Sequence, residues 1–354
     1  MGSNAKPVTP RVNAIATTVP RCDVHARYTH WAEQQLGKRE SAVFARMEAR
    51  GGIDHRFSIL SGEDAAMDFG SFYMSGKSPS TSQRMHRYAE AAPELALKAI
   101  SALPATDGVT HLVIASCTGF MAPGLDQVIA RRLGLAADVE RVSIGFMGCY
   151  AGITLLRTAA HIVRSQPEAR VLAVSVELCT LHLQETDDLE SLLAMGQFAD
   201  GAAAALVSAE GEGLGLGEGL SAALEESGDL ITWTVGDTGF AMHLSGAVPG
   251  RLAEALDDPQ LQATIMGDDP PQAWAVHPGG RSVLDAAERG LKLPADALNA
   301  SRGVLSEFGN MSSATVIFVI ERLMRERPAN GIALAFGPGL AMEGLRFGWE
   351  GGNA

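Results

Sequence analysis

A chain of 354 residues with 46% hydrophobic and 19% charged residues is too apolar for disorder and too long for one hydrophobic core, so two domains or one duplicated unit are expected. Its 28 basic against 41 acidic residues give a net charge of −13, with no block of five basic residues, which excludes the clustered cations that nucleic-acid binding requires. No apolar run is long enough for a membrane span, and MGSNAKPVTPRV lacks the apolar core of a signal peptide. The cysteines Cys22, Cys117, Cys149 and Cys179 contain no CxxC pair, so free thiols in a reducing cytoplasm, and no zinc site, are expected.

Residues 1–20 read as an extended start. Residues 31–50 carry helix formers with apolar side chains at Leu36, Val43, Phe44 and Met47, residues 51–85 read as an irregular surface segment, and residues 88–102 as a helix. From Thr110 the pattern changes. THLVIAS runs into the polar SCTG; RVSIGF at 141–146 is followed by a helical stretch through about Val163; ARVLAVSVE at 169–177 and GAAAALVSA at 201–209 are further apolar runs. Such alternation predicts parallel strands joined by helical crossovers. The acidic, Gly-rich AEGEGLGLGEG at 209–219 then marks a junction, and the rhythm resumes: AWAVHPGG at 273–280, FGNMSSATVIFVIERLM at 308–324, and IALAFGPGL at 332–340. Both halves place polar residues just past strand ends or at helix starts.

Cys149 follows GFMG and opens a predicted helix, where the positive end of the helix dipole favours a thiolate, the nucleophilic form in acyl transfer. The competing reading is a buried packing cysteine, which is also the simpler reading of Cys117 and Cys179. His277 ends a buried strand in WAVHPGG, at the kind of carboxyl edge where ligands bind in α/β sheets. Asn310 in EFGNMSSA is either a helix cap or an amide donor aimed at an oxyanion. A papain-like protease also uses Cys, His and Asn, but its cysteine lies in a Gly-Ser-Cys-Trp-type context near the mature N-terminus, unlike Gly-Cys-Tyr-Ala-Gly here.

Taken together, SCTGFMAPG at 116–124, GCYAG at 148–152, GQFADGAAAALV at 196–207, HPGG at 277–280, VLSEFGNMSSA at 304–314 and FGPGL at 336–340 resemble type III polyketide synthases, the chalcone and stilbene synthase family. They occur in family order across residues 110–340, and FARM at 44–47 extends the likeness toward the N-terminus. The resemblance implies an α/β thiolase fold: two related βαβαβ halves in a layered α-β-α-β-α arrangement, residues 1–213 carrying Cys149 and 214–354 carrying His277 and Asn310, assembled as a homodimer. It implies malonyl-CoA and an acyl-CoA starter as substrates, no cofactor and no metal. In that scheme His277 as imidazolium lowers the pKa of Cys149, His277 and Asn310 stabilise the enolate left by decarboxylation, and Phe198 guards the CoA tunnel. Arg46 and Arg50 align with two CoA-binding positions, whereas a third, a lysine in the family, falls on Val43.

The substrate pocket departs from the plant pattern at Met242, His182, Trp233, Cys117 and Ala122; Cys179 and Ser312 are counted with it, and Gly337, Pro338 and Gly339 form its supporting turn. These departures predict a pyrone, a resorcinol or another small phenolic product from an aliphatic or malonyl starter. A single-condensation ketoacyl synthase III and a catalytically silent acyl-binding partner are the alternatives.

Overall fold

The computed structural model describes residues 8–60, 72–73 and 78–351. The extended start forms β1 (Arg11–Thr18), and a short strand β2 (Cys22–Asp23) leads into α1 (His25–Gln35) and α2 (Lys38–Gly51). The single helix expected over 31–50 is therefore two, because Leu36 and Gly37 hold extended backbone between them. After β3 (Phe57–Ser58), α3 (Thr81–Ile100) starts inside the segment read as irregular, of which residues 61–71 and 74–77 lie outside the described residues. Its start is fixed by a capping box between Ser80 and Gln83, a signal present in the sequence as Ser-x-x-Gln.

The expected runs become β4 (His111–Ser116), α4 (Leu125–Leu133), β5 (Glu140–Gly145), α5 (Ala151–Ser165), β6 (Val171–Leu178), α6 (Leu189–Met195) and β7 (Asp200–Ser208). Then follow β8 (Gly213–Ala223), the hairpin β9 (Ile231–Gly236) and β10 (Gly239–Leu244), α7 (Val248–Leu256) and α8 (Pro259–Met266). The chain closes with β11 (Ala273–Val276), α9 (Arg281–Gly290), α10 (Asn299–Phe308), α11 (Thr315–Met324), β12 (Gly331–Gly337) and β13 (Ala341–Glu350). β8 is hidden in the Gly-rich junction, because glycine at alternate positions leaves one face of the strand without a side-chain pattern.

Among the described residues, nine strands share one sheet in the order β11-β12-β13-β8-β1-β7-β6-β4-β5. The parallel pairing expected from the sequence holds for β4 with β5 and β6, and for β11 with β12. The strands between them pair antiparallel.

Side-chain alternation then sorts the layers. On β4, β6 and β7, Leu112, Leu172 and Ala204 face a core with Tyr88 and Ala96 of α3, whereas Val113, Ala173 and Ala205 face one with Leu155 of α5 and Val319 of α11. On β12, Ala333 joins that same central core, and Ile332 faces a third with Leu252 of α7 and Leu284 of α9. The result is an α-β-α-β-α stack of the thiolase type, with α5 and α11 sandwiched at its centre. Among the described residues no helix is long and apolar enough to cross a membrane.

Candidate active site

The parallel strands end toward one region. Cys117 follows β4, Phe146 follows β5, Cys179 follows β6, His277 follows β11 and Pro338 follows β12. Cys149 lies between β5 and α5, two residues before the first helical residue. The turn is tight: Gly148 has φ +79°, and a Cβ there would stand 2.3 Å from Cδ of Pro338, so only glycine fits. Asn310 follows α10 and pairs as a one-residue parallel bridge with Phe198, which precedes β7.

One cavity is lined by Cys149, His277, Asn310, Phe198, Cys117, Ser312, Trp233, Met242, Gly337 and Pro338, so most of the predicted set is brought together. His277 is 1% exposed, and both ring nitrogens are buried without a partner. Buried polar atoms are nearly always satisfied, so this orphaned imidazole marks a place for a ligand. Asn310 is better tied. Its Nδ2 donates to the Gly279 carbonyl at 3.1 Å, and its Oδ1 accepts from the Ser312 N–H at 2.9 Å.

Cys149 is only partly buried because it opens onto the cavity, yet the surrounding protein withholds solvent and pushes its thiol up to about 11; hydrogen bonding to Ser312 and Asn310 offsets this in part. Burial likewise pulls the His277 imidazole down to about 3. Taken separately, burial thus works against charge on the thiol and on the imidazole, in the direction opposite to the imidazolium that the resemblance implies. Alkylation of Cys149, followed by mapping the adduct, is expected to speed up steadily as pH rises through neutral toward the raised thiol pKa. A rate plateau extending below about pH 6 would instead show a standing thiolate–imidazolium pair.

Glu177, the last acidic residue of the ARVLAVSVE run, was not singled out from the sequence. It is fully buried at the end of β6. Its carboxyl accepts from the Cys117 N–H at 2.9 Å, the Thr118 hydroxyl at 2.8 Å and the Ser313 hydroxyl, and burial raises it to about 7. When charged it opposes a thiolate at Cys149. The available signal was a lone carboxylate in an apolar strand.

Other predicted pocket residues lie elsewhere. Cys179 and His182 line a side cavity that shares Phe198, Trp233 and Met242 with the first. His182 Nε2–H donates to the Thr118 carbonyl at 2.7 Å, its Nδ1 accepts from the Phe240 N–H at 3.1 Å, and its ring stacks on Phe240. It therefore stands at the wall of the side cavity, with its ring 6.1 Å from that of Trp233, which lines both. Ala122, aligned with a position that reaches into the partner's pocket, is exposed and lines neither cavity of its own chain, and Gly339 stands just outside the lining made by Gly337 and Pro338.

The route outward is legible from shared walls. Leu244, Val248 and Val283 line both the catalytic cavity and a surface cleft, and that cleft shares Met47, Leu193, Gln197 and Ser282 with an outer mouth holding Arg50 and Arg281. Arg46 is not at this mouth; its Nε donates to Ala42 of its own helix. Arg281 stands beside Arg50 at this mouth, and its Nη1 donates to the Arg50 carbonyl at 3.2 Å. Its signal was its position directly after HPGG at a helix start.

Family models described as the chalcone and stilbene synthase N-terminal and C-terminal domains match residues 40–211 and 219–347. The chain belongs to the chalcone and stilbene synthase family. It is 31% identical over 334 residues to the α-pyrone synthesis polyketide synthase-like Pks18 of Mycobacterium tuberculosis, covering 87% of this chain and 80% of the relative. It is 34% identical over 296 residues to bisdemethoxycurcumin synthase of Oryza sativa, covering 75% and 73%. The crystal structure of PKS-I from the brown alga Ectocarpus siliculosus superposes with a TM-score of 0.87 at 27% identity, covering 98% of this chain and all of that one. The chain is thus a type III polyketide synthase, an acyltransferase, which sets aside the single-condensation alternative. As in the rest of the family, its chemistry is polyketide assembly from acyl thioesters.

Proposed function

We propose that Cys149 takes a starter acyl group from acyl-CoA and condenses it repeatedly with malonyl-CoA. The carrying observation is the orphaned His277 imidazole in one cavity with Cys149 and the Asn310 amide. In the first step neutral His277 accepts the thiol proton as Cys149 Sγ attacks the thioester carbonyl, and the proton leaves with the CoA thiolate as free CoA. Malonyl-CoA then binds and loses CO2. The remaining electron pair rests on a thioester enolate, whose oxygen is met by N–H donors of His277 and Asn310. The enolate carbon attacks acyl-Cys149, the carbon–carbon bond forms, and Cys149 leaves as thiolate to begin again. Loss of CO2 supplies the driving force, so the scheme calls for no cofactor or metal.

Cyclisation of the extended chain ends the sequence, and the likeness to a protein named for α-pyrone synthesis favours a pyrone over the plant chalcone. We further propose a homodimer, supported by β5 at the sheet edge and by the exposure of Val142 (40%) on that strand and of Phe120 (51%), and a cytoplasmic setting that keeps the four cysteines free. The test is incubation of the purified protein with malonyl-CoA and a panel of acyl-CoAs, with products identified by mass. Chalcone from p-coumaroyl-CoA as the best starter would overturn the bacterial-type product while leaving the condensation intact.

Arg50 and Arg281 at the mouth suit the phosphates of CoA in a chain of net charge −13. Replacing both with Ala is expected to raise KM for malonyl-CoA about 5- to 30-fold, allowing for solvent screening, and to flatten its salt dependence, with kcat little changed. Unchanged steady-state kinetics would place the phosphates elsewhere.

A further inference from the structure

Arg56 follows the irregular link after α2 and is 1% exposed, the kind of placement that is costly for a guanidinium unless its donors are used. Its Nη1 donates to the Phe198 carbonyl at 2.9 Å and to the Met195 carbonyl at 3.4 Å, and its Nε donates to His25 Nδ1 at 3.1 Å, whereas Nη2 is buried without a hydrogen-bond partner. The guanidinium carbon stands 4.6 Å from the centre of the Tyr28 ring. Its aliphatic stem fills the space beside Gly309, where φ is +70° and a Cβ would come within 2.8 Å of Arg56 Cγ. Gly309 immediately precedes Asn310. The Asn310 N–H donates to the Gln197 carbonyl at 2.8 Å, and the Ala199 N–H donates to the Asn310 carbonyl at 2.9 Å. One side chain therefore holds the backbone of Phe198 directly and, through that bridge, the backbone of Asn310.

We propose that Arg56 is a positioning residue for the decarboxylation step, fixing Phe198 and Asn310 in register at the cavity wall. The proposal rests on the condensation reading above. Burial lowers the Arg56 pKa, and Tyr28 together with the carboxyl groups of Glu48, Asp23 and Asp200 opposes that shift. Neither Cys149 nor His277 is held by Arg56: His277 hangs from β11 and β12, its N–H donating to the Leu334 carbonyl at 2.7 Å, and Cys149 is set by the turn at Gly148 and Pro338. Arg56 thus bears on Cys149 only through the Asn310 amide that reaches its thiol, and chiefly on the decarboxylation step.

The experiment compares Arg56→Met, which keeps the stem and removes every donor, with Arg56→Lys, which keeps the charge and one reach to a carbonyl. Each is assayed in single turnover for Cys149 acylation and separately for CO2 release from malonyl-CoA. Misplacing a catalytic donor by an ångström costs up to about 100-fold, so Arg56→Met is expected to slow CO2 release about 10- to 100-fold. The acylation rate should fall much less, because Asn310 is only one of the groups at the Cys149 thiol, and Lys should recover part of the loss. A residue serving stability alone would lower both steps together through loss of active protein, and that parallel loss overturns the proposal, as does an unchanged rate of CO2 release. If the Met variant does not fold, the same split in folded Arg56→Lys decides the matter. A parent protein that acylates Cys149 but releases no CO2 refutes the condensation reading itself, whereas a working parent with an indifferent Arg56 refutes only the positioning role.

Discussion

Cys149→Ala is expected to abolish product and to leave no acyl-enzyme detectable by mass, a loss of at least about 10³-fold, because no other group can carry the acyl chain between the two half-reactions. The fold should survive. Cys149 is partly exposed, and the turn that holds it is set by Gly148 and Pro338 rather than by its thiol. CO2 release from malonyl-CoA should persist, since His277 and Asn310 remain. Two other cysteines are close enough to serve as controls. Cys117 lines the same cavity, but its Sγ accepts from the Gly148 N–H at 3.1 Å, and burial together with Glu177 drives its pKa well up. Cys179 lies off the catalytic cavity and its pKa is likewise raised by burial. A stable acyl adduct mapped to either of them in the parent protein would overturn the assignment of the nucleophile.

His277→Gln should separate two roles that one imidazole performs. Gln has similar reach and keeps an N–H, but it cannot accept a proton. Acylation of Cys149, which needs the thiol proton removed, is expected to fall by about 10²–10⁴-fold. CO2 release needs only a donor facing the enolate oxygen, so it should fall far less, about tenfold. Both ring nitrogens lack protein partners, so the substitution breaks no hydrogen bond of the folded protein, and thermal unfolding should change little. Equal losses in both steps would mean that His277 acts only as a donor or only as a scaffold, and the general-base assignment would fail.

The two variants also bear on how far a resting charge matters. Burial holds the thiol up and the imidazole down, which favours a pair that is neutral until a thioester carbonyl arrives to receive the electrons. Catalysis is then set by geometry at the moment of attack, which is why Gln, with its hydrogen bonds but no basicity, discriminates.

Much of the chemistry was determined by the sequence alone. Cys149, His277 and Asn310 stand out as candidates because each sits at a strand or helix end, where polar side chains in an apolar run need a reason, and because the ordered motifs around them are specific. The strand–helix alternation predicted the α/β layers for the same reason: local periodicity survives in a single sequence. What the tertiary structure decided was everything that depends on distance between remote segments. Periodicity could not tell that β1, β7, β8 and β13 run antiparallel between two parallel groups, since alternation looks alike in either direction. It could not tell that His182 spends both nitrogens on the Thr118 carbonyl and the Phe240 N–H at the wall of a side cavity. Arg46 and Arg50 share a helix face by spacing, yet only Arg50 reaches the mouth, where it meets Arg281 from 231 residues away. Nor could composition assign the state of the Cys149–His277 pair, because a pKa is set by how much water the folded protein leaves around a group, and that is a property of packing.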